Sequence, residues 1–142
     1  MAPQTGVLAP VPPASIHLTL ALRPDVDAAT LRHRLSLIRV DEGLLVGLGA
    51  PATALLGMSV PGMRPFPALA GPGIAVPSTQ EAAWARLSGH DPGTLIVEAL
   101  GLLDAVGDVL VATDVLHGFL HDGGRDLTGY VDGTENPKGE DA

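Results

Sequence analysis

Large apolar side chains alternate with small or polar ones in residues 15–22, which read Ser15-Ile16-His17-Leu18-Thr19-Leu20-Ala21-Leu22. Because successive side chains of a β-strand point to opposite faces of a sheet, this alternation predicts a strand with one buried face. The residues just before it, 7–13, favour an extended lead-in. The neighbouring segments must therefore supply the layer that covers the apolar face.

The segment after this strand carries the signals of a helix. Asp25 or Asp27 is placed to cap its start, and Gly43 is placed to end it. Four apolar side chains fall on one side of this helix, namely Ala28, Leu31, Leu35 and Ile38. The pattern predicts a helix that packs on the sheet.

A second helix is predicted from Asp91, which supplies a side-chain cap, and Pro92, which occupies the first helical position. Gly107 is expected to end it. Its buried side is predicted to consist of Ile96, Ala99, Leu100 and Leu103.

Three further strands are indicated, over Leu44 to Leu48, Glu81 to Leu87 and Val109 to Leu120. The last of these is apolar on both faces at its start, which predicts a central position in the sheet. A long segment rich in proline and glycine runs from Pro61 to Pro77, and Phe66 is expected to hold it against the core. Long ordered loops of this kind are more often functional or packed on a partner than idle.

The predicted order of elements is strand, helix, strand, strand, helix, strand. This is the α+β, ferredoxin-like βαββαβ pattern, a four-stranded antiparallel sheet with both helices on one face. We expect residues 1–142 to form a single domain of this fold, since the length suits one modest core.

Composition limits the classes of function. Hydrophobic residues make up 46% of the chain and charged residues 17%, which indicates a globular protein. The net charge of −8 argues against a nucleic-acid partner, because it leaves little to neutralise a run of phosphates. The chain has no cysteine, its first residues lack the features of a secretory signal, and no apolar run reaches the length of a membrane span. We therefore expect a cytoplasmic protein that does not enter a membrane.

The residues with the chemistry of a site lie near the C-terminal end, in the string Asp126-Leu127-Thr128-Gly129-Tyr130-Val131-Asp132-Gly133-Thr134-Glu135-Asn136-Pro137. Gly129 and Gly133 permit backbone conformations or close approaches that a Cβ would prevent. Taken by itself, the spacing favours an Asx-type turn in which Asp132 bonds its own backbone. A single Gly-x-x-Asp-Gly is a weak signal.

The same string, however, resembles the dye-decolourising peroxidases, whose signature is Gly-x-x-Asp-Gly, well beyond those five residues. Two upstream segments are also similar to that family, namely Pro77-Ser78-Thr79-Gln80 with Trp84, Leu87 and Gly89, and Val115-Leu116-His117-Gly118-Phe119. The opening Pro3-Gln4-Thr5-Gly6-Val7-Leu8 is a weaker match, and residues 50–71 match loosely. The resemblance implies the N-terminal half of a haem b enzyme whose fold contains the ferredoxin-like unit twice.

The resemblance also implies roles for particular residues. Asp132 would be the distal acid–base that shuttles a proton on hydrogen peroxide before the O–O bond breaks. Val131, Gly133, Thr134 and Glu135 would lie against the cofactor or along its edge, and an organic donor such as a dye or phenol would be oxidised.

The sequence departs from the family in length, since it has 142 residues and such proteins are roughly twice as long. The histidine that ligates iron and the arginine that works beside the aspartate lie in the second half of such proteins, so this chain alone is expected to be inactive. Its own histidines are His17, His33, His90, His117 and His121, with the last two assigned to the final strand. We interpret each as a surface or satisfied core residue, and no metal site is predicted among them.

Two hypotheses follow. In the first, the chain is the N-terminal half of a peroxidase, with the C-terminal half of the same protein as its partner and with a tendency to form a homo-oligomer. In the second, it is a non-catalytic ferredoxin-like module that binds a ligand or dimerises. Trp84 and Tyr130 are interpreted as packing residues rather than an electron relay, and the acidic residues Glu135, Glu140 and Asp141 as a solvated tail.

Overall fold

A computed structural model describes residues 4–131 of the chain. After a 3₁₀ turn at Thr5–Val7, its elements are β1 (Ala14–Leu22), α1 (Ala28–Ser36), β2 (Leu44–Leu48), α2 (Ala50–Leu55), β3 (Leu69–Gly71), β4 (Ile74–Val76), β5 (Ala83–Gly89), α3 (Pro92–Val106) and β6 (Leu110–Phe119). The six elements predicted from the sequence are all present.

The main sheet has four antiparallel strands in the order β2-β5-β1-β6. Strand β1 is central, with Leu18 opposite Ala85 of β5 and Val115 of β6. This is the ferredoxin-like arrangement, so the predicted fold class is confirmed. The remaining two strands, β3 and β4, form a separate hairpin.

The core lies between the sheet and two helices. Ile16, Leu18 and Leu20 alternate along β1 as buried side chains, as the period-2 pattern requires. Leu31 of α1 and Val106 of α3 belong to the same buried cluster. Both long helices therefore cover the same face of the sheet.

Two aspartates fix where these helices begin. Asp27 accepts hydrogen bonds from the backbone amides of Ala29 and Thr30 at 2.8 and 2.9 Å, so the cap of α1 is Asp27 rather than Asp25. Asp91 accepts one from the amide of Thr94 at 2.6 Å. Each carboxylate satisfies amide groups that the first helical turn leaves free.

The first helix ends earlier than predicted, at Ser36 rather than near Gly43. Leu37 donates its amide to Arg34 and Ile38 donates to Leu35, which are 3₁₀-type bonds that tighten and close a helix. The hydroxyl of Ser36 also donates to the carbonyl of His33 at 2.7 Å. These bonds occupy the carbonyls of His33, Arg34 and Leu35, and the helix ends there.

The prediction of a central last strand was wrong. β6 pairs only with β1 within the described sheet and lies at its edge. Val109 and Leu110 at its start are buried, but Val111 is exposed by 37%, and further along the strand Val115 is exposed by 45% and Leu116 by 60%. An edge strand with apolar side chains on both faces presents a surface for another chain segment.

The proline-rich segment also differs from expectation. Phe66 does not pack in the core, since half of its surface is exposed. The backbone of Phe66, not its side chain, makes the contact that holds it, since the Phe66 carbonyl accepts a hydrogen bond from the hydroxyl of Ser78 at 2.6 Å. The segment contains the β3–β4 hairpin, and α2 precedes it, two elements that were not predicted.

The other sheet edge is closed by the N-terminal segment. The side-chain amide of Gln4 donates to the carbonyl of Val46 at 2.7 Å, and the amide of Val46 donates back to the Gln4 oxygen at 3.0 Å. Gln4 thus acts as a one-residue strand partner for β2. Between residues 4 and 131, the helices all lack the length and hydropathy that a membrane crossing needs.

Candidate functional site

The edge strand β6 leads directly into the segment that carries the predicted site. Leu120 continues the pairing by donating its amide to the carbonyl of Pro13 at 2.9 Å. The chain then turns sharply, with positive φ angles of 41° at Asp122, 69° at Gly123 and 108° at Gly124. The carbonyl of His121, which lies after the strand rather than on it, accepts the amides of Gly124 and Arg125.

A closed loop follows from Arg125 to Val131, held by backbone bonds across its neck. These two residues form an antiparallel bridge. Inside it, the amide of Asp126 donates to the carbonyl of Tyr130, and the amide of Gly129 donates to the carbonyl of Asp126, both at 3.0 Å. The Arg125 guanidinium donates to the Gly129 carbonyl at 2.8 Å. The backbone that immediately precedes Asp132 is thereby held in a closed loop that follows β6.

The aspartate that forms an Asx turn in this region is Asp126. Its carboxylate accepts the hydroxyl of Thr128 at 2.5 Å and the backbone amide of Thr128 at 2.8 Å. The Thr128 hydroxyl, followed by backbone amides, lowers the pKa of Asp126, since these donors stabilise the charged form. Gly129 has a φ of 92°, which confirms that this glycine takes a conformation other residues avoid.

Of the predicted site residues, Val131 is described and lies at the neck of this loop, with 53% of its surface exposed. Asp132, Gly133, Thr134 and Glu135 lie outside the described residues. Whether Asp132 forms an Asx turn or faces a cofactor therefore stays a prediction. The acidic residues Glu140 and Asp141 lie outside them as well.

The surface around the loop is apolar and uncovered. Leu127 is exposed by 77% and Tyr130 by 75%, so neither residue packs against the body of the protein, and the packing role expected of Tyr130 is not seen within residues 4–131. At the same end of the sheet, Phe119 is exposed by 68% and Leu120 by 40%. Side chains of this size are buried in most soluble proteins, and a group of them marks an interaction surface. Sequence reasoning missed Leu127 and Phe119, whose exposure has no signal in the sequence.

A small cavity opens beside this surface. It has a volume of about 280 Å³ and is lined by the first residues of β1 and the start of α3, together with His90, His117 and Phe119. A larger cavity of about 600 Å³ lies between the start of β2 and α3, away from the loop, and includes Arg39, Asp41 and Glu98. Size alone does not make it the site, and Val131, the predicted site residue that the structure describes, does not line it.

The sheet face opposite the helices forms a second exposed region, which we call the open face. His17 lies there between Arg86 of β5 and Leu116 of β6. The Nε2 atom of His17 is 3.1 Å from the Ser15 hydroxyl, and its ring lies 5.5 Å from that of Trp84, centroid to centroid. This contact agrees with a packing role for Trp84, although 38% of its surface is exposed.

The described histidines do not form a metal centre. Among residues 4–131, no group of three or more histidine, aspartate or glutamate side chains is placed to hold a metal ion. His33 lies on α1, and His90 lies just before α3.

Comparison with known proteins shows what the chain resembles. No family model matches it. The chain is 31% identical over 147 residues to a dye-decolorizing peroxidase of Mycobacterium tuberculosis, an alignment that covers 94% of this chain and 44% of that protein. The corresponding protein of Mycolicibacterium paratuberculosis is also 31% identical, with coverage of 94% and 41%.

Solved structures agree. A heme complex of a variant of Rhodococcus jostii RHA1 DypB superimposes with a TM-score of 0.79 at 32% identity, covering 99% of this chain and 50% of that one. The encapsulated DyP-type peroxidase of Mycobacterium smegmatis gives 0.76 at 28% identity, with coverage of 97% and 48%. The chain thus spans about half the length of the relatives it matches.

Proposed function

Since this chain matches the N-terminal half of the dye-decolourising peroxidases in sequence and fold, we propose that it supplies the distal side of a haem peroxidase site. The reaction proposed is the reduction of hydrogen peroxide coupled to oxidation of an organic donor such as a dye or phenol. Asp132 is the residue proposed to handle the proton.

The observation that carries the proposal is the closed loop from Arg125 to Val131. Its neck joins Arg125 to Val131, so the backbone directly before Asp132 is held in a closed loop that follows β6. Around it, Leu127, Tyr130 and Val131 are exposed. A closed loop with exposed apolar side chains, followed in the sequence by a carboxylate, suits a surface that a second protein segment covers.

The described residues fit haem on one side. A haem has a large apolar face, and the exposed side chains of Phe119, Leu127, Tyr130 and Val131 offer apolar surface at this end of the sheet. Val131, Gly133, Thr134 and Glu135 would hold the distal side, and glycine at 133 would allow close approach of the backbone. When bound, the haem supplies the oxidising chemistry, while the protein supplies its position and electrostatics.

The part assigned to this chain is the movement of one proton. A carboxylate oxygen of Asp132 would accept it from one oxygen of hydrogen peroxide and return it to the other, which could then leave as water, while a bound haem would supply the two electrons that cleavage of the O–O bond requires. An aspartate carboxylate has a reference pKa of about 3.9, so it stays available as a base at acidic pH, where histidine is mostly protonated. We therefore expect the enzyme to work on the acid side of neutrality.

Other parts of the site are proposed to come from a segment equivalent to the second half of the relatives. That segment would bring the iron-ligating histidine and the arginine beside Asp132. It would cover the apolar end of the sheet, which is exposed in residues 4–131. A cytoplasmic location, a homo-oligomeric state and the absence of nucleic-acid and membrane partners remain predictions from the sequence.

The proposal is tested with haem, hydrogen peroxide and a dye. The chain alone and the polypeptide encoded when the reading frame is followed past Ala142 are each titrated with haem and followed by absorption. We expect a histidine-ligated complex and dye loss only where the second segment is present.

Two results would overturn the proposal. One is a sharp, stoichiometric histidine-ligated spectrum from the chain alone. The other is a longer polypeptide that binds no haem, a result that would favour the non-catalytic module.

A further inference from the structure

The N-terminal residues 4–13, which we call the strap, run across the open face of the sheet. The first of them pairs with β2, and the carbonyl of Gly6 accepts a hydrogen bond from the Arg86 guanidinium of β5 at 2.9 Å. At the other end, the carbonyl of Pro13 accepts the amide of Leu120. The strap is therefore attached near both of its ends and covers part of β5.

A cavity of about 340 Å³ lies between the strap and β5. Its strap side is apolar, because it consists of Val11, an alanine and three prolines. Its β5 side includes Arg86 and Ser88, which are two residues apart on the strand and so share the open face. Glu42 and His90 also line it. Pockets that hold small ligands begin at about 300 Å³, so this cavity has room for a small molecule.

Two polar atoms of the cavity-lining residues lack a partner. Among residues 4–131, the buried side-chain atoms that make no hydrogen bond are Nε of Arg86 and Oγ of Ser88. A buried donor left unpaired is unfavourable, and more so when it belongs to a charged group. A molecule that accepts hydrogen bonds from both atoms would remove this cost.

The charge of Arg86 also lacks an acidic partner within the described part of the chain. The salt bridges there join Arg34 to Asp108 and Arg125 to Asp122. The side-chain hydrogen bond of Arg86 goes to a neutral backbone carbonyl, although the residue is partly buried. A guanidinium withdrawn from water is stabilised by an anion, so the cavity favours an anionic occupant.

The groups around the cavity fit a monocarboxylate with a small apolar body. The two oxygens of a carboxylate can accept hydrogen bonds from the Nε–H of Arg86 and from the hydroxyl of Ser88, and such charge-assisted bonds are strong. The apolar residues of the strap suit the rest of the molecule. A phosphate dianion suits the cavity less well, because Arg86 is its one arginine or lysine and Glu42 adds a negative charge.

The strap can give way to admit such a molecule. Residues 8–12 make no hydrogen bond to the body of the protein within residues 4–131. Val11, in the middle of this stretch, is 74% exposed, so moving it outward loses little packing. Entry therefore requires a shift of the strap between its two attached ends rather than unfolding of the sheet.

We propose that the cavity between the strap and β5 binds a small monocarboxylate, with Arg86 and Ser88 holding its two oxygens. No residue of the closed loop from Arg125 to Val131 lines this cavity. The inference does not depend on haem binding or on the role of Asp132.

Benzoate is a suitable probe, because its rigid body has little internal freedom to lose on binding. It is titrated into the ¹⁵N-labelled chain of 142 residues, and the Nε–H signals of the arginine side chains are followed by NMR. We expect benzoate to shift the Arg86 signal to saturation. Benzamide, the neutral counterpart, and inorganic phosphate should each bind much more weakly.

Three variants test the assignment of the residues. Ser88→Ala should weaken benzoate binding by about tenfold, since it removes one hydrogen bond to a charged group. Glu42→Gln should strengthen it by about two- to fivefold, because it removes an opposing charge at an exposed position. Arg39→Gln is the matched control, since Arg39 is an exposed arginine that lines the larger cavity and not this one, and its affinity should equal that of wild type. Urea unfolding of each variant shows that it is folded.

Several results would overturn the proposal. If water alone occupies the cavity, benzoate leaves the Arg86 signal unchanged. Benzamide that binds as tightly as benzoate would show that the charge of the ligand is not recognised. Phosphate that binds more tightly than benzoate would exclude the apolar contribution of the strap. An equal loss of affinity in Arg39→Gln and Ser88→Ala would place the binding elsewhere.

Discussion

Replacing Gly129 with alanine tests whether the loop before Asp132 is held by backbone conformation. Among residues 4–131, no atom would lie within 4 Å of the new Cβ, so the change adds no clash with the groups that the structure describes. The φ of 92°, however, is one that L-residues rarely adopt. An alanine forced into left-handed backbone costs about 1–2 kcal/mol. That energy weakens the closed form of the loop by a factor of about 5–30.

Amide hydrogen exchange followed by NMR measures this effect on the chain alone. The amides of Asp126 and Gly129, which bond across the loop, should exchange about 5–30-fold faster in Gly129→Ala, and those of β1 should be unchanged. Gly101→Ala is the matched control, since that glycine also has open space but lies in helix α3. It should stabilise the protein by about 0.5–1 kcal/mol. Unchanged loop exchange in Gly129→Ala, or a fall in the stability of the whole domain, would refute the reasoning.

Two more predictions concern the end of strand β2 and the closed loop from Arg125 to Val131. Gly49→Ala places a Cβ against the backbone carbonyl of Glu81 and should lower the free energy of unfolding by about 1–3 kcal/mol in a urea titration, whereas Gly47→Ala meets nothing within 4 Å and serves as the control. A wild-type midpoint for Gly49→Ala would show that the strand end is not tightly packed. The pKa of Asp126 is lowered from 3.8 in the folded loop. The charged Asp126 carboxylate therefore contributes fully to the stability of the loop above pH 3.8, and this contribution is lost as the pH falls through the lower pKa of the folded state. The NMR signal of the residue 128 amide should therefore shift only below about pH 4, the range in which free aspartate titrates. A shift of this signal at neutral pH would contradict the prediction. So would a Thr128→Val variant in which the signal shifts over the same pH range as in wild type.

The long elements were predictable because their signals are local. The alternation in β1, the Asp27 and Asp91 caps and the short β2 strand each depend on residues within one or two turns of each other. Tertiary contacts did not have to be known. The end of the first helix at Ser36 was missed, since 3₁₀-type bonds closed that helix before any glycine was reached.

What the sequence could not separate is burial in a core from exposure that another surface covers. Val115 and Leu116 look the same in a sequence whether β6 is central or at an edge, and so do Ile96 and Leu100 on α3. Phe66 is a further case, because an aromatic residue in a proline-rich segment suggests packing. The signal that was available, Pro72-Gly73 between short apolar runs, indicates a hairpin turn. The site residue Asp132 rests on the resemblance and on the loop that precedes it.

The role of Asp132 is tested most directly by the rate at which the longer, haem-loaded polypeptide first reacts with hydrogen peroxide. This rate is measured by stopped-flow absorption for wild type and Asp132→Asn across a range of pH. The substitution keeps the shape of the side chain and removes the base, so the rate should fall by a factor on the order of 10²–10⁴. The spectrum of the resting haem should be unchanged, because the iron ligand is proposed to come from the other segment. Equal rates for the two proteins at every pH would contradict the assignment of Asp132 as the acid–base group.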